Sequence, residues 1–476
     1  MRRGGGTPPG GRLRRERVEV IDRSGRTGLS HAPGGRIRRL RAVDACAGPV
    51  GGARQAFGTT ATRVGALVLA MFASVVIARS LQPAGRGSYH LIVTTAATAI
   101  SLGHLSVEQA QTTLWTDARN RRAVAENSLP LAMAVGGVVT AVMLALIAVA
   151  GRTVNLQRPG LVALALLGVP FGIATLYTTN VTVLNARMRV ANRAVLAGAL
   201  LQCGSLIALG AAGRLSAASV IAVWVLATMA PCCVIVAAGR FKPRRLDTSL
   251  AWRTVLTGLS YHAGPASMYL LLRADVFILA AQCSTTLVGL YALAVSVSEM
   301  SRFATDSISQ VALARQIGNE PVESARVTVR TTRITTLAGL ASAVALALAA
   351  PLAIPFAYGR SFSGSVPLVL ILLPGAFALG AVKPVSGFLL RQHSARYLIV
   401  PSLTALALNI ALNVVLIPVA GVAGCCVAST VGYVAMALLQ ARMFACVSGI
   451  SARSLLPRRA DIGTIGRQLN AVLRFG

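Results

Sequence analysis

The chain has 476 residues, of which 55% are hydrophobic and only 13% charged, and its mean hydropathy is +0.67. Soluble globular proteins carry about 25% charge, so this balance excludes a soluble domain; apolar windows of about 18 or more residues recur after residue 56, as in a polytopic helical membrane protein. The formal charge of +32 does not mark a nucleic-acid binder, because the basic residues are spread over the connections between apolar stretches, where they orient helices.

Residues 1–55 come first, with 13 arginines against Glu16, Glu19, Asp22 and Asp44. No apolar core of a secretory signal is present. The expectation is a disordered basic cytoplasmic tail, with anionic lipids as a second use. Twelve spans then follow, near 57–80, 88–110, 128–150, 160–184, 191–212, 216–238, 254–281, 286–312, 334–357, 365–390, 397–418 and 421–445. The class is all-α, since the period-2 alternation of a membrane barrel is absent. The expected division is a six-helix lobe over 56–245, a second over 246–447, and a cytoplasmic tail over 448–476.

Alternate connections differ in charge. Those at 111–127, 185–193, 239–253, 313–333 and 391–396 hold 17 arginines and lysines, and the others hold 5. The basic set is cytoplasmic by the positive-inside rule, and an even number of spans puts both termini on that side. The intended location is the plasma membrane, crossed many times. The other connections are all shorter than about ten residues, leaving no extramembrane domain for a soluble active site. Eight cysteines, at 46, 203, 232, 233, 283, 425, 426 and 446, form no C-x-x-C and read as small apolar residues. No metal or cofactor is implied.

One repeat stands out. "GSYHLIV" (87–93) and "GLYALAV" (289–295) share Gly, Tyr, Leu and Val at alternate positions, 202 residues apart. Each begins an even-numbered span. That placement predicts two halves of parallel topology, related by an axis along the membrane normal, as in transporters whose substrate path runs between repeats.

Buried charge is concentrated in the second half. Arg273 and Asp275 sit two apart in "YLLLRADVFILAA". At that spacing they point about 200° apart on a helix, so each needs its own partner. "SEMSRFATD" places Glu299, Arg302 and Asp306 on one helical face, as a structural ion-pair ladder or as a cavity-lining stripe. Lys383 precedes Pro384, which kinks a helix; it either snorkels or opens on a cavity. Ionised groups at mid-bilayer cost about 2.5–3.5 kcal/mol each on insertion scales, so several together imply a wet path. Arg273, Arg302 and Lys383 are the candidate substrate-binding cations for a pyrophosphate. Asp275, Glu299 and Asp306 are candidates for coupling or charge balance. His104 and Glu108 are expected at the interface. Thr178, Thr179, Asn180, Asn185, Gln202, Asn409 and Asn413 are expected to bond between helices.

Three stretches carry a resemblance. "IARSLQPAGRGSYHLIV" (77–93) is similar to an A-R-x-L-G-P-x-x-x-G-x-Y entrance to the second helix, with Gln82 in place of the usual Gly. "RADVFILAAQCSTTLVGLYALAVSVSE" (273–299) is similar to D-x-x-x-L … G-x-Y-x-x-A. "LNIALNVVLIPVAGVAGCCVASTVGYV" (408–434) is similar to L-N-x-x-L-N-x-x-L-I-P-x-x-G-x-x-G-A-A-x-A-T, with Cys425 and Cys426 where Ala is usual. With "AYGRSF" (357–362), they resemble the polysaccharide flippases of the multidrug/oligosaccharidyl-lipid/polysaccharide exporter superfamily over roughly 57–446. The resemblance implies a flippase that alternates between inward and outward states and moves an undecaprenyl-pyrophosphate-linked oligosaccharide for cell-surface polysaccharide biosynthesis. The implied partners are that lipid-linked oligosaccharide, membrane lipids, and a polysaccharide polymerase with its glycosyltransferases. An ion-coupled drug or small-solute antiporter of the same superfamily is the alternative. A membrane polysaccharide ligase would place acid or base residues on a large outer loop, and none is present, so the chain reads as a non-enzyme. An ATP-driven pump is excluded within the chain: Lys242 and Lys383, the only lysines, follow Phe and Val rather than the glycine of a phosphate-binding loop.

Overall fold

A computed structural model describes residues 49–150, 158–238, 247–317, 320–390, 396–458 and 461. Residues 1–54 and 55–476 are separate compact units. Of the first, only 49–54 are described, as the opening of a helix. The remaining part of the expected tail, 1–48, lies outside the described residues, and its last stretch is helical instead.

Among the described residues every regular element is a helix. Hydrocarbon offers the backbone no partner, so each span must close its hydrogen bonds internally. In chain order the helices are α1 (Pro49–Gly103), α2 (Val107–Leu114), α3 (Arg121–Ala150), α4 (Pro159–Leu166), α5 (Val169–Leu184), α6 (Met188–Ala211), α7 (Ala217–Ala237) and α8 (Thr248–Gln282). They continue as α9 (Thr285–Met300), α10 (Phe303–Ile317), α11 (Pro321–Tyr358), α12 (Ser365–Leu390) and α13 (Arg396–Ser448). A 3₁₀ turn, Ala452–Leu455, follows α13 and buries Leu455 against the Phe388–Phe444 cluster, so the expected C-terminal tail begins with a docked segment.

Two helices are far too long for one crossing. The 55 residues of α1 would reach about 80 Å at 1.5 Å per residue, against a hydrocarbon core of about 30 Å. α1 breaks at Gln82 (φ 55°, ψ 176°), directly before Pro83. The 53 residues of α13 break at Gly421 (φ 57°, ψ −135°), three residues after Pro418. The expected span 286–312 is not one straight helix: α9 and α10 meet at a 42° bend. No proline sits there. Instead the Ser298 and Ser301 hydroxyls donate to the carbonyls of Val295 and Ser298, and the Ser301 and Arg302 amides donate to carbonyls only three residues back. Such serine back-bonding competes with the regular ladder and bends helices. Among the described residues, nine helices qualify as spans by length and composition, ten with the bent pair. The expected twelve are reached only by also dividing α1 and α13 at their breaks.

The ends of the helices sort into two groups. At one end, Gly87 meets Gly289. A Cβ on Gly87 would fall 1.9 Å from the Thr285 carbonyl oxygen, and a Cβ on Gly289 would fall 1.9 Å from the Pro83 carbonyl oxygen. Nearby, Arg79 donates to the carbonyls of Phe356 and Ala357 (2.6 and 2.7 Å), and Ser361 donates to Gln82 Oε1 (2.9 Å). At the other end, Asn127 and Asp247 exchange two hydrogen bonds, Ser106 meets His262, and Arg333 donates to the Ser454 carbonyl. Asp247 also caps α8 by accepting from the Leu250 amide, which holds its carboxyl below the usual carboxylate range.

Candidate functional site

A cavity of about 450 Å³ is lined mainly by the second half of the chain. α8 contributes Gly264, Pro265, Met268 and Leu272, α10 Asp306 and Gln310, α12 Leu379 and Lys383, and α13 Met436 and Gln440. Gln109 of α2 reaches it from the first half. Arg302 enters from the α9–α10 bend. The bend packs tightly on α12 because residue 380 is glycine: a Cβ there would lie 2.8 Å from Thr305 Oγ1 and 3.5 Å from Arg302 Cγ. Pro265 and Pro384 line the same cavity, where each removes a backbone donor from its helix.

Arg302, Asp306 and Lys383 therefore line one cavity, whereas Arg273 and Glu299 are not among its lining residues. Lys383 Nζ donates to Asp306 Oδ1. The Glu299 carboxylate sits between two guanidinium groups, 3.2 Å from Arg273 and 3.6 Å from Arg302. Two arginines thus share one carboxylate, which leaves a net positive charge in this cluster. The expected single stripe of Glu299, Arg302 and Asp306 is split by the bend: the first two stay together, and Asp306 turns to α12.

Asp275 departs from expectation. It faces no cavity. It is buried inside the second half, where it accepts from the hydroxyl of Tyr291, from Ser429 Oγ (2.7 Å) and from the Val276 amide (2.8 Å). Arg273 and Asp275 do take different partners, as their spacing requires. The carboxylate stitches α8 to α9 and α13 in the Tyr291–Leu293 core. Buried carboxylates are stable where donors are fixed around them, and three are fixed here.

The uncharged polar groups also divide. Asn180 bonds across helices, donating to the Glu108 carbonyl (2.8 Å) and to Gln111 Oε1 (3.0 Å). Thr178, Asn185 and Asn413 instead donate to carbonyls four residues back in their own helices. His104 pairs with Glu108 (3.1 Å) and abuts the His262 ring edge-on at 5.3 Å. His104 thus links the turn after α1 to α8.

Three residues were not legible as candidates. Arg86, counted with the outer connections, is buried: it donates to Ser74 (2.9 and 3.0 Å), and its guanidinium lies over the rings of Tyr358 and Phe362 at 5.6 and 5.9 Å. Its only sequence signal was its place within the stretch 77–93. His90, within the repeat, has a buried Nε2 with no hydrogen-bond partner among the described residues. His262 stood alone in an apolar run.

Residues 76–367, more than half of the chain, match the model of a family described as "Polysaccharide biosynthesis protein". No curated protein matches the chain by sequence. Among solved structures, the chain is similar to an inward-facing multidrug resistance MATE family transporter of the MOP superfamily, with 14% identity, 81% of this chain and 94% of that one covered, and a TM-score of 0.62. It is also similar to the lipid II flippase MurJ in an inward closed conformation (10% identity, 82% and 89% covered, TM-score 0.63). A third is the Vibrio cholerae MATE transporter VcmN in its bent form (16% identity, 85% and 97% covered, TM-score 0.56). At these identities the likeness is one of fold.

Proposed function

Because the chain belongs to the polysaccharide biosynthesis protein family, and its fold is that of membrane transporters and flippases, we propose that it is a flippase for an undecaprenyl-pyrophosphate-linked oligosaccharide. It acts at the plasma membrane by alternating access, through rocking of two six-helix halves around the central path. The observation that carries this reading is the cavity lined by Arg302 and Lys383, with Glu299 shared between Arg302 and Arg273. A group with two or more negative charges can take the excess cation and compete with Asp306 for Lys383. A guanidinium binds phosphate through two parallel bonds. The volume suits a headgroup, with the prenyl chain left in the bilayer and the sugars extending along the path. Glu299 and Asp306 rebalance the cations once the headgroup leaves, and Asp275 holds the wall together.

The test is transport in proteoliposomes, comparing a fluorescent prenyl-pyrophosphate oligosaccharide with a cationic dye. The lipid-linked sugar should move and the dye should not; dye exchange alone would turn the reading to an ion-coupled antiporter. Arg302→Gln should reduce lipid transport at least tenfold with normal insertion, since a hydrogen bond to a charged group is worth about 1.5–3 kcal/mol. Arg302→Lys should recover it in part. Undiminished transport by Arg302→Gln would remove the cavity from the mechanism. Loss of folded protein, relieved in Glu299→Gln/Arg302→Gln, would make the pair structural.

A further inference from the structure

A second cavity, of about 430 Å³, shares no lining residue with the first. Arg326, Arg330 and Arg333 of α11 line it with Ser454 and Asp461, and Val329 and Ile450 give it an apolar side. The segment after α13 forms the far wall. Leu455 anchors that segment against the Phe388–Phe444 cluster, and Arg333 Nε donates to the Ser454 carbonyl at 2.8 Å. The charges do not balance. Asp461 stands 3.9 Å from Arg333 and also accepts from the Arg458 amide. Arg326 has Glu323 at 3.8 Å, outside the lining. The Arg330 guanidinium has no hydrogen bond or ion pair among the described residues. Three guanidinium groups therefore share one cavity with a single carboxylate.

The place of these arginines on α11 says what meets them. Spaced by four and three residues, they lie on one helical face. At about 100° per residue, the same face continues through Leu340, Val344 and Leu348, which are 49, 51 and 74% exposed. No residue of α11 lines the first cavity, and α11 is long and apolar enough to cross a membrane. An exposed apolar face on such a helix meets acyl chains. Arg333 directly precedes the expected span 334–357, and Arg330 and Arg326 lie about 4.5 and 10 Å further out at 1.5 Å per residue. The headgroup zone beyond the hydrocarbon is about 5–8 Å deep on each side. Arg333 and Arg330 fall within it, and Arg326 stands at its outer edge.

We propose that this cavity binds the phosphate of an anionic membrane phospholipid, in the leaflet at the basic end of the helices. The phosphate takes the open donors of Arg330 and Arg326, each guanidinium offering two parallel bonds. The glycerol rests on Val329 and Ile450, and the acyl chains follow Leu340, Val344 and Leu348. A free anion would use the same donors, but it has no use for the apolar face that continues from them. Arg333 is already tied to Ser454 and shapes the wall. The bound lipid joins α11 to the segment after α13.

The experiment measures binding of dioleoylphosphatidylglycerol, dioleoylphosphatidylcholine and inorganic phosphate to the purified full chain in detergent, by native mass spectrometry. The variants are Arg330→Gln, Arg326→Gln/Arg330→Gln and, as a control, Arg253→Gln, an exposed arginine of the basic connection 239–253 that lies outside the cavity. Arg333 is left in place because it holds Ser454. Melting temperatures check folding, and Arg330→Gln alone carries the test if the double variant does not fold. The wild type should bind phosphatidylglycerol at least fivefold more tightly than phosphatidylcholine. Arg330→Gln should weaken phosphatidylglycerol binding about fivefold, or about 1 kcal/mol, as for one basic residue at an anionic surface. The double variant should lose at least tenfold, and Arg253→Gln nothing. Equal binding of the two lipids by the wild type, or undiminished phosphatidylglycerol binding by folded Arg330→Gln, would overturn the site. An equal loss in Arg253→Gln would reduce it to diffuse surface charge. Inorganic phosphate bound as tightly as phosphatidylglycerol, and weakened by the same substitutions, would overturn the lipid in favour of a free anion.

Discussion

Gln82 holds φ 55° and ψ 176°, a conformation open to glycine and costly for any residue with a Cβ, by about 1–3 kcal/mol. Two contacts use its side chain: Nε2 donates to the Arg79 carbonyl and Oε1 accepts from Ser361, both at 2.9 Å. Gln82→Gly loses both bonds, worth about 1 kcal/mol each at most when exposed, but releases the strain. Gln82→Ala loses the bonds and keeps the strain. Gln82→Gly should therefore be the more stable of the two by about 1–3 kcal/mol, read from denaturation midpoints in detergent; an alanine variant equal to glycine would show that the position is unstrained. The departure from the usual Gly was visible in the sequence, whereas its cost needed the dihedral angle. Asp275 shows the same division. That it needed a partner other than Arg273 followed from spacing, but Ser429 lies 154 residues away, and no local pattern names a partner at that range.

At the scale of helices, spans and their order were legible because hydrocarbon imposes one long apolar stretch per crossing. The break at Gln82–Pro83 fell between expected spans, and the one at Gly421 fell at the first residue of the last expected span. The α9–α10 bend was not legible, since serine back-bonding leaves composition and periodicity unchanged. The Gly87–Gly289 crossing shows what the repeat is for. Helices in lipid associate by close packing of small residues, and here each glycine Cα faces the other segment's backbone at a distance no side chain fits. Overpacking typically costs about 1–3 kcal/mol, enough to shift a two-state equilibrium about 5- to 150-fold. Gly87→Val should therefore favour the state in which this crossing is open. Cys283, half-buried just before Thr285, reports on it. With the other cysteines replaced by alanine, its labelling by a membrane-impermeant maleimide should accelerate at least fivefold. An unchanged rate in a folded variant would mean that the crossing stays shut in every state.

At the scale of the whole molecule, two independent sortings agree. The contacts at the Gly87–Gly289 end join connections 81–87, 282–285 and 358–364, which are poor in arginine and lysine. The contacts at the other end join 111–127 to 239–253, and 313–333 to the segment after α13, which are the rich set. Packing knows nothing of the positive-inside rule, so the match supports an alternation in which every basic connection shares one end. The repeat fits the same frame. Adding 202 to Pro83 and Gly87 gives Thr285 and Gly289, and the two close contacts, Gly87 with Thr285 and Gly289 with Pro83, are exchanged by that shift. A two-fold axis between the glycines does this, and the even number of spans expected from one copy to the next predicts that it runs along the membrane normal rather than in the membrane plane. Such an axis keeps equivalent ends on the same side, so Gly449, following the last span at the basic end, and Ser284, at the opposite end, are expected to face opposite compartments. The excess of basic residues predicts a cytoplasmic Gly449 side. A cytoplasm-active reporter fused at Gly449 should be active and one fused at Ser284 silent, with a periplasm-active reporter giving the reverse. Activity of the periplasmic reporter at Gly449 would invert the orientation; activity of one reporter at both sites would break the alternation and, with it, the two-fold relation between the halves.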